Sequence, residues 1–141
     1  MPNTVLKIVL YSHDTLGLGH MRRNLAIAQS LIDANPKTAI LMIAGAHEAG
    51  AFEMPMGVDC LTLPTLAKDS EVVYQPRTLG VGRSDLLTLR ATTIRTAIVS
   101  VRPDVMIVDK VPSGVFGELL PTLEELRQAR HTVSSSACAK F

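Results

Sequence analysis

One short segment, DTLGLGHMRR between Asp14 and Arg23, gathers most of the side chains that could do chemistry. Glycines let a backbone approach a ligand closely, and a helix that begins behind them offers free N–H groups to phosphate. Gly17 and Gly19 match the first two glycines of the GxGxxG dinucleotide fingerprint, but Arg22 occupies the third position. A P-loop is also excluded, because no GK[ST] follows. The segment therefore indicates either a ligand-facing turn or a tight turn with a purely structural role.

His20 is the candidate general base in this segment. An imidazole titrates near neutral pH and can take the proton of a hydroxyl group as its oxygen attacks a reactive carbon. Asp109, which follows a buried apolar run, could orient this ring and favour its charged form, and Asp14 is a second candidate partner. The structural alternatives stay open: His20 could cap or pack at a helix start, and Asp109 could begin a loop by accepting backbone N–H groups.

Basic residues around this segment could neutralise a diphosphate or a lipid phosphate. They are Arg22 and Arg23, with Lys68, Arg77 and Arg83 further along the chain. Paired arginines at a helix start are also often simply solvated. A small apolar loop, Phe52 with Met54–Met56, either touches a membrane surface or lipid acceptor, or packs against the domain.

Composition narrows the function classes. The formal net charge is +1, which argues against nucleic acid as the main partner, since proteins that bind it usually have a strong basic bias. Hydrophobic residues make up 47% and charged residues 19%, as in a globular domain. Cys60 and Cys138 stand far apart without a CxxC motif, so neither a disulfide framework nor a zinc site is indicated. The apolar run from Val5 to Leu10 is too short to span a bilayer and lacks the flanks of a signal peptide.

Apolar periodicity predicts alternating strands and helices. Near-continuous aliphatic runs predict strands over Val5–Tyr11, Thr38–Ala44, Val58–Leu63 and Val105–Val108, and helical spacing predicts helices over Met21–Ile32, Ser84–Val99 and Phe116–Arg130. Residues 64–83 show little periodicity and are predicted to be a long loop. This order predicts an α/β, Rossmann-like parallel sheet with helices on both faces. Ligands bind such sheets at the carboxyl ends of the strands, where residues 12–19, 45–57, 64–82 and 110–114 lie.

Three segments in combination resemble a known family. They are YSHDTLGLGHMRRNLAIAQSL at Tyr11–Leu31, LPTLAKDSEVVYQPRTLG at Leu63–Gly80, and RPDVMIVDKVPSGVFGELLPTLEELR at Arg102–Arg127. The chain resembles a bacterial family of glycosyltransferases of the GT-B fold, which is related to family 28, to the peptidoglycan-precursor N-acetylglucosaminyltransferase and to the UDP-glycosyltransferases. The resemblance covers most of the chain up to about Arg130.

The resemblance implies the N-terminal, acceptor-side half of a GT-B fold. Such an enzyme moves a hexosyl group from a nucleotide-sugar to a hydroxyl acceptor, which is lipid-linked in one option, and it usually needs no metal or other cofactor. The implied catalytic pair is His20 and Asp109. The expected substrate-binding residues are Gly17, Gly19, Arg22, Arg23, Lys68, Arg77, Ser113 and Gly114. We expect a cytoplasmic protein, with peripheral contact at the inner face of the membrane as an option.

The resemblance also implies a division of the chain. Residues 1–130 are expected to form the acceptor-side domain, residues 131–141 an aberrant or disordered tail, and the C-terminal domain that binds the donor is expected to be missing. Relatives continue with an aliphatic strand where this tail turns to serine and alanine, and one back-translation of the tail gives such a strand in a shifted frame. A frameshift is therefore our hypothesis for the truncation.

Other functions stay open at this level. The chain could be a non-catalytic remnant or an acceptor-binding module. It could also be a fragment of a sugar-nucleotide epimerase of the same architecture, against which the Gly-Leu-Gly-His loop argues mildly. A receiver domain would have clustered acidic residues at the end of the first strand, where this chain has Ser12, His13 and Asp14.

Overall fold

A five-stranded parallel sheet organises the protein. The structure is a computed structural model that describes residues 4–14, 17–71, 73–128 and 132–136. The strands of this sheet are β1 (Lys7–Ser12), β2 (Ala39–Ala44), β3 (Val58–Thr62), β6 (Val105–Asp109) and β7 (Thr132–Ser136), with a small hairpin of β4 (Leu66–Lys68) and β5 (Tyr74–Pro76) beside them. The helices are α1 (Gly19–Ala34), α2 (Arg83–Val101) and α3 (Leu120–Gln128). The predicted α/β, Rossmann-like architecture is confirmed.

Helices cover both faces of the sheet, which explains the continuous apolar runs of its central strands. In β1, Ile8 and Leu10 pack in the same cluster as Met21, Ala28 and Ile32 of α1. The alternate residues of β1 and residues of β6 pack against the other two helices. That second cluster contains Val9, Tyr11, Met106, Val108, Ile94, Ile98, Leu119 and Leu126.

The strand order creates a crevice at one edge of the sheet. The order is β3-β2-β1-β6-β7, so the chain first moves outward from β1 to β3 and then returns to β6 on the other side of β1. Strand order therefore reverses between β1 and β6, and ligands of open α/β sheets bind outside the carboxyl ends of the strands at such a point. The loops after Ser12 and Asp109 begin there.

Two predicted segments differ in detail. Residues 64–83 are not one long loop, because β4 and β5 pair as an antiparallel hairpin in which Lys68 lies opposite Tyr74. The three-residue strands are too short to show a periodic pattern in the sequence. Helix α2 begins at Arg83, one residue before the predicted Ser84, behind an extended Gly82 and without a side-chain cap.

The last helix is shorter than predicted. It spans Leu120–Gln128 and follows a 3-10 turn, Val115–Gly117. Phe116 within that turn has a positive φ of 51°, which interrupts helical geometry. For residues 131–141, expected to be an aberrant or disordered tail, the structure differs at 132–136: these residues form β7, parallel to β6. Backbone groups alone can extend a sheet, whatever the side chains. The other residues of that tail lie outside the described residues.

A fully buried ion pair joins three elements. Arg90 of α2 donates from Nε to Glu118 Oε2 and from Nη2 to Glu118 Oε1, both at 2.8 Å, and from Nη1 to the Pro64 carbonyl at 2.6 Å. The Tyr11 hydroxyl at the end of β1 donates to the same carboxylate. Burial and the adjacent Glu118 charge raise the pKa of Tyr11 well above its usual value. The cluster ties α2 and the segment before α3 to the end of β1.

We expect the Arg90→Met substitution to destabilise the fold by about 3–5 kcal/mol, because it leaves the buried Glu118 carboxylate without its cation. Urea unfolding at neutral pH measures the loss. The matched control is Arg95→Met on the same helix, whose partner Glu125 lies 2.6 Å away in an exposed pair; it should cost at most about 1 kcal/mol. Equal, small losses in both variants would show that the buried pair is not structurally important.

Candidate active site

The centre of the candidate site is a histidine–aspartate pair. His20, in the first turn of α1, and Asp109, the last residue of β6, approach to 2.8 Å between Nδ1 and Oδ2. The Asp109 side chain is 2% exposed and that of His20 29%. Because a carboxylate only accepts hydrogen bonds, the bonded Nδ1 carries the hydrogen, and the neutral ring keeps its lone pair on Nε2. The structure thus brings together the two residues that the sequence suggested as a catalytic pair.

Arg23 completes the environment of the buried carboxylate. Its Nη1 donates to Asp109 Oδ1 at 3.0 Å, while its side chain is half exposed. Both oxygens of Asp109 therefore have a partner, as a buried carboxylate requires. Arg23 is thus a hydrogen-bond partner of Asp109. The guanidinium of Arg22 instead lies 5.9 Å from the ring centre of Phe52.

Asp14, the second candidate partner of His20, has another role. Its Oδ1 accepts the Met21 N–H at 2.9 Å, and its Oδ2 accepts the Ser12 hydroxyl. Leu18, at the N-cap position of α1, makes no side-chain cap, so Asp14 satisfies a first-turn donor in its place. Burial raises the pKa of Asp14. Part of the helix terminus that the sequence offered to phosphate is thus already bonded to a carboxylate.

The glycine loop borders a small cleft. Gly17, with φ of +123°, and Gly19 both have open space where a Cβ would stand. A cleft of about 90 Å³ is lined by Gly17 and by side chains from the segments after β1, β2, β3 and β5: Asp14, Leu18, Ala46, Glu48, Thr65 and Arg77. Arg77 Nη1 lies 3.9 Å from Glu48 Oε1. Arg77 and the glycine loop therefore border the same cleft.

Lys68 belongs to a row of alternating cations and rings at the same edge. Its Nζ lies 5.0 Å from the ring centre of Tyr74, which meets Phe116 edge-on at 5.3 Å, and the Arg83 guanidinium lies 4.5 Å from the Phe116 ring centre. These contacts join β4, β5 and the start of α2 to the turn after β6. The cation–π contacts of Lys68 and Arg83 thus stabilise that surface.

Ser113 and Gly114 lie in the turn that follows β6. The Ser113 carbonyl accepts the Leu119 N–H at 3.0 Å. A Cβ on Gly114, whose φ is +72°, would stand 2.8 Å from Leu119 Cγ and 3.0 Å from the Tyr11 hydroxyl. The local reason for glycine here is close packing against Tyr11, and the structure shows no feature that assigns this turn to a substrate.

The groove at the other edge of the sheet is a weaker candidate for the active site. A wider groove of about 510 Å³ lies at the opposite, amino edge of the sheet, lined by Lys7, Gly57, Asp59 and Ser100 among others. Its lining holds no histidine, and the strand order places ligands at the other edge.

Phe52 and Met54 pack on the core, whereas Met56 is 92% exposed. Among the described residues, no helix is long and apolar enough to cross a membrane, and no group of three or more His, Cys, Asp or Glu is placed to hold a metal ion.

Solved structures with a similar fold include the following two proteins. A UGT transferase from Siraitia grosvenorii, solved in complex with UDP, aligns over 92% of this chain and 27% of its own, with 10% identity and a TM-score of 0.57. A putative UDP-N-acetylglucosamine 2-epimerase from Listeria monocytogenes aligns over 94% of this chain and 31% of its own, with 12% identity and a TM-score of 0.50. The fold is the Rossmann-like fold of GT-B proteins. No family model and no curated protein matches the chain.

This chain spans less than a third of the length of each GT-B protein that it matches. Its candidate site also contains residues that sequence reasoning missed. Glu48 and Thr65 line the cleft, and His13 packs beside His20 with ring centres 5.7 Å apart. The position of His13 directly after a buried strand was the only available signal, because nothing in the sequence shows which rings the loops bring together.

We expect His13 to make stability fall as the solution becomes acidic. Burial, with the adjacent His20 and Lys110, lowers the pKa of His13 below its usual 6.5. Below pH 6.5 the unfolded chain therefore binds a proton that the folded chain resists, so the free energy of unfolding decreases until the pH falls below the lowered pKa. Urea unfolding from pH 7.5 to 5 measures this. The His13→Phe variant should show a weaker decrease over that range; an identical pH dependence would contradict the assignment.

Proposed function

We propose that this chain is the acceptor-side domain of a glycosyltransferase that moves a hexosyl group from a nucleotide-sugar to a hydroxyl acceptor. The observation that carries the proposal is the 2.8 Å contact between His20 and the buried Asp109 at the carboxyl edge of the sheet. A base held in this way is typical of enzymes that activate a hydroxyl group. The GT-B fold supports the reaction class without identifying it, because one fold serves several functions.

In the proposed reaction, His20 Nε2 takes the proton of the acceptor hydroxyl. The acceptor oxygen forms a bond to the anomeric carbon of the sugar from the side opposite the leaving group, while the bond from that carbon to the phosphate oxygen breaks. The nucleoside diphosphate leaves with that electron pair, which gives inversion at the anomeric carbon. Asp109 keeps the Nδ1 hydrogen in place and stabilises the imidazolium as it forms.

The acceptor enters, in this proposal, beside the glycine loop. The cleft at Gly17 offers Glu48, Thr65 and Arg77 as polar partners, which suits a hydroxylated acceptor. Gly17 and Gly19 let the donor diphosphate approach the backbone, and Arg22, Lys68, Ser113 and Gly114 complete the proposed substrate-binding set. The proposal includes an acceptor that is linked to a lipid at the inner face of the cytoplasmic membrane.

The donor would be bound mainly by a second domain that these 141 residues do not contain. The UGT transferase and the putative epimerase are each more than three times as long as the part that aligns. By this proposal these 141 residues do not transfer the sugar without that second domain. No metal ion or other cofactor takes part in the proposed reaction.

The test is a transfer assay on two proteins. One is this chain, and the other is this chain joined to a GT-B domain that binds a UDP-sugar. Both are incubated with UDP-sugars and a panel of hydroxyl acceptors, and products are identified by mass spectrometry and NMR. We expect transfer by the joined protein only. The His20→Gln variant should lose about 10²–10⁴-fold in rate, the usual contribution of a general base.

The control is Asp104→Asn, at the opposite end of the β6 region, where Asp104 accepts the Lys7 N–H at 2.8 Å. It should keep the rate within about twofold, because exposed substitutions away from a site have small effects. Transfer by the short chain alone would contradict the two-domain account. An epimerised nucleotide-sugar as the product would favour the epimerase instead, and no product from either protein would favour a non-catalytic role.

A further inference from the structure

His13 is a buried imidazole that no contact so far explains. It is 7% exposed, and its ring makes no hydrogen bond within residues 4–14, 17–71 and 73–128. It packs beside the His20 ring, at 5.7 Å between centres and 28° between planes. These values fall within the range of attractive offset ring pairs. The contact with His20 is therefore the feature of His13 that bears on the candidate site.

The backbone fixes His13 firmly beside His20. The Gly45 N–H donates to the Ser12 carbonyl at 3.0 Å, which joins the ends of β1 and β2. A Cβ built on Gly45 would stand 1.8 Å from the His13 carbonyl oxygen, so only glycine allows this approach. The backbone of His13 is thus anchored at the end of the sheet, whereas His20 is on a helix.

A second contact adds to the hydrogen bond that already holds His20. Asp109 holds one ring atom, Nδ1, and the ring can leave it by turning about the Cβ–Cγ bond, a torsion with a broad preference. A flat neighbour restricts that rotation by packing against the ring face. Together the two contacts hold both the edge and the face of the His20 ring.

We propose that His13 is a positioning residue that stacks on His20 and holds its ring with Nδ1 toward Asp109, so that Nε2 stays available to the acceptor hydroxyl. This inference rests on the proposed role of His20 as the base. His13 acts through His20 in this account and does not touch the reacting atoms.

The charges around His13 suit the same role. They come from four elements: His20 on α1, Lys110 after β6, Arg90 on α2 and Glu118 before α3. Burial, then His20 and Lys110, lower the pKa of His13, and only Glu118 among these opposes them. His13 is therefore neutral at pH 7. A neutral ring tolerates a positive charge arriving on His20, whereas two adjacent imidazolium ions would repel each other.

The test reads the His20 ring directly by ¹⁵N NMR of the 141-residue chain near pH 7.5, so it needs neither donor nor acceptor. We compare His13→Leu, which fills the space without a flat ring, with His13→Phe, which restores the ring. In His13→Leu, the ratio of the Nδ1–H to the Nε2–H tautomer of His20 should fall about two- to tenfold, the range that one ring pair can support. His13→Phe should keep the wild-type ratio.

Asp109→Asn is the positive control, which must lower the ratio, and Asp104→Asn the negative control, which must not. An unchanged ratio in His13→Leu would overturn the proposal, as would equal losses in the Leu and Phe variants. Should His13→Leu not fold, the wild-type chain decides: the His20 signals must show a second, smaller step where His13 titrates, and their absence would overturn it. Failure of sugar transfer would leave this result intact, so the two proposals fail separately.

Discussion

The parallel pairing of β1 with β6 is the constraint on which the candidate site depends. Tyr11 lies opposite Val108 in this register, so the loop after β1 and the carboxylate at the end of β6 begin at the same level of the sheet. A shift of one residue would turn the side chains of β6 to the opposite face and would remove Asp109 from the reach of His20. The two apolar clusters on the faces of β1 hold that register, since each alternate residue of the strand has its own partner helix.

Two clusters of buried charged side chains lie close together at this edge, and they have different roles. Arg90 and Glu118 bond to each other, to the Pro64 carbonyl and to the Tyr11 hydroxyl, and both side chains are buried. Asp109 is as deeply buried, but its partner His20 remains nearly one-third exposed. The first pair therefore fixes the framework, while the second holds a reactive ring at the surface. The structural difference is that α1 begins at the edge of the crevice, whereas Arg90 lies in the middle of α2.

The sequence predicted the architecture and the pairing of His20 with Asp109 because both depend on local patterns. Aliphatic runs indicated the central strands, and the loop that leads to His20 and the residue Asp109 each follow one of them, so they meet if those strands are neighbours. The Arg90–Glu118 pair, the stacking of His13 on His20 and the role of Asp14 at α1 were not predictable in this way. They join residues up to 28 positions apart or depend on rotamers, and periodicity carries no information about either. The hairpin of β4 and β5 was not predicted for a related reason, since three-residue strands are too short to show a periodic pattern.

The central claim is that His20 and Asp109 act as one unit on the acceptor hydroxyl. A double-mutant cycle in the protein that carries the donor-binding half tests it most directly, by comparing sugar-transfer rates of His20→Gln, Asp109→Asn and the double variant. If Asp109 works only through His20, the double variant should be no slower than His20→Gln alone, a strong departure from additivity. Additive losses from the two substitutions would mean that the residues act independently, and the account of the site would be wrong.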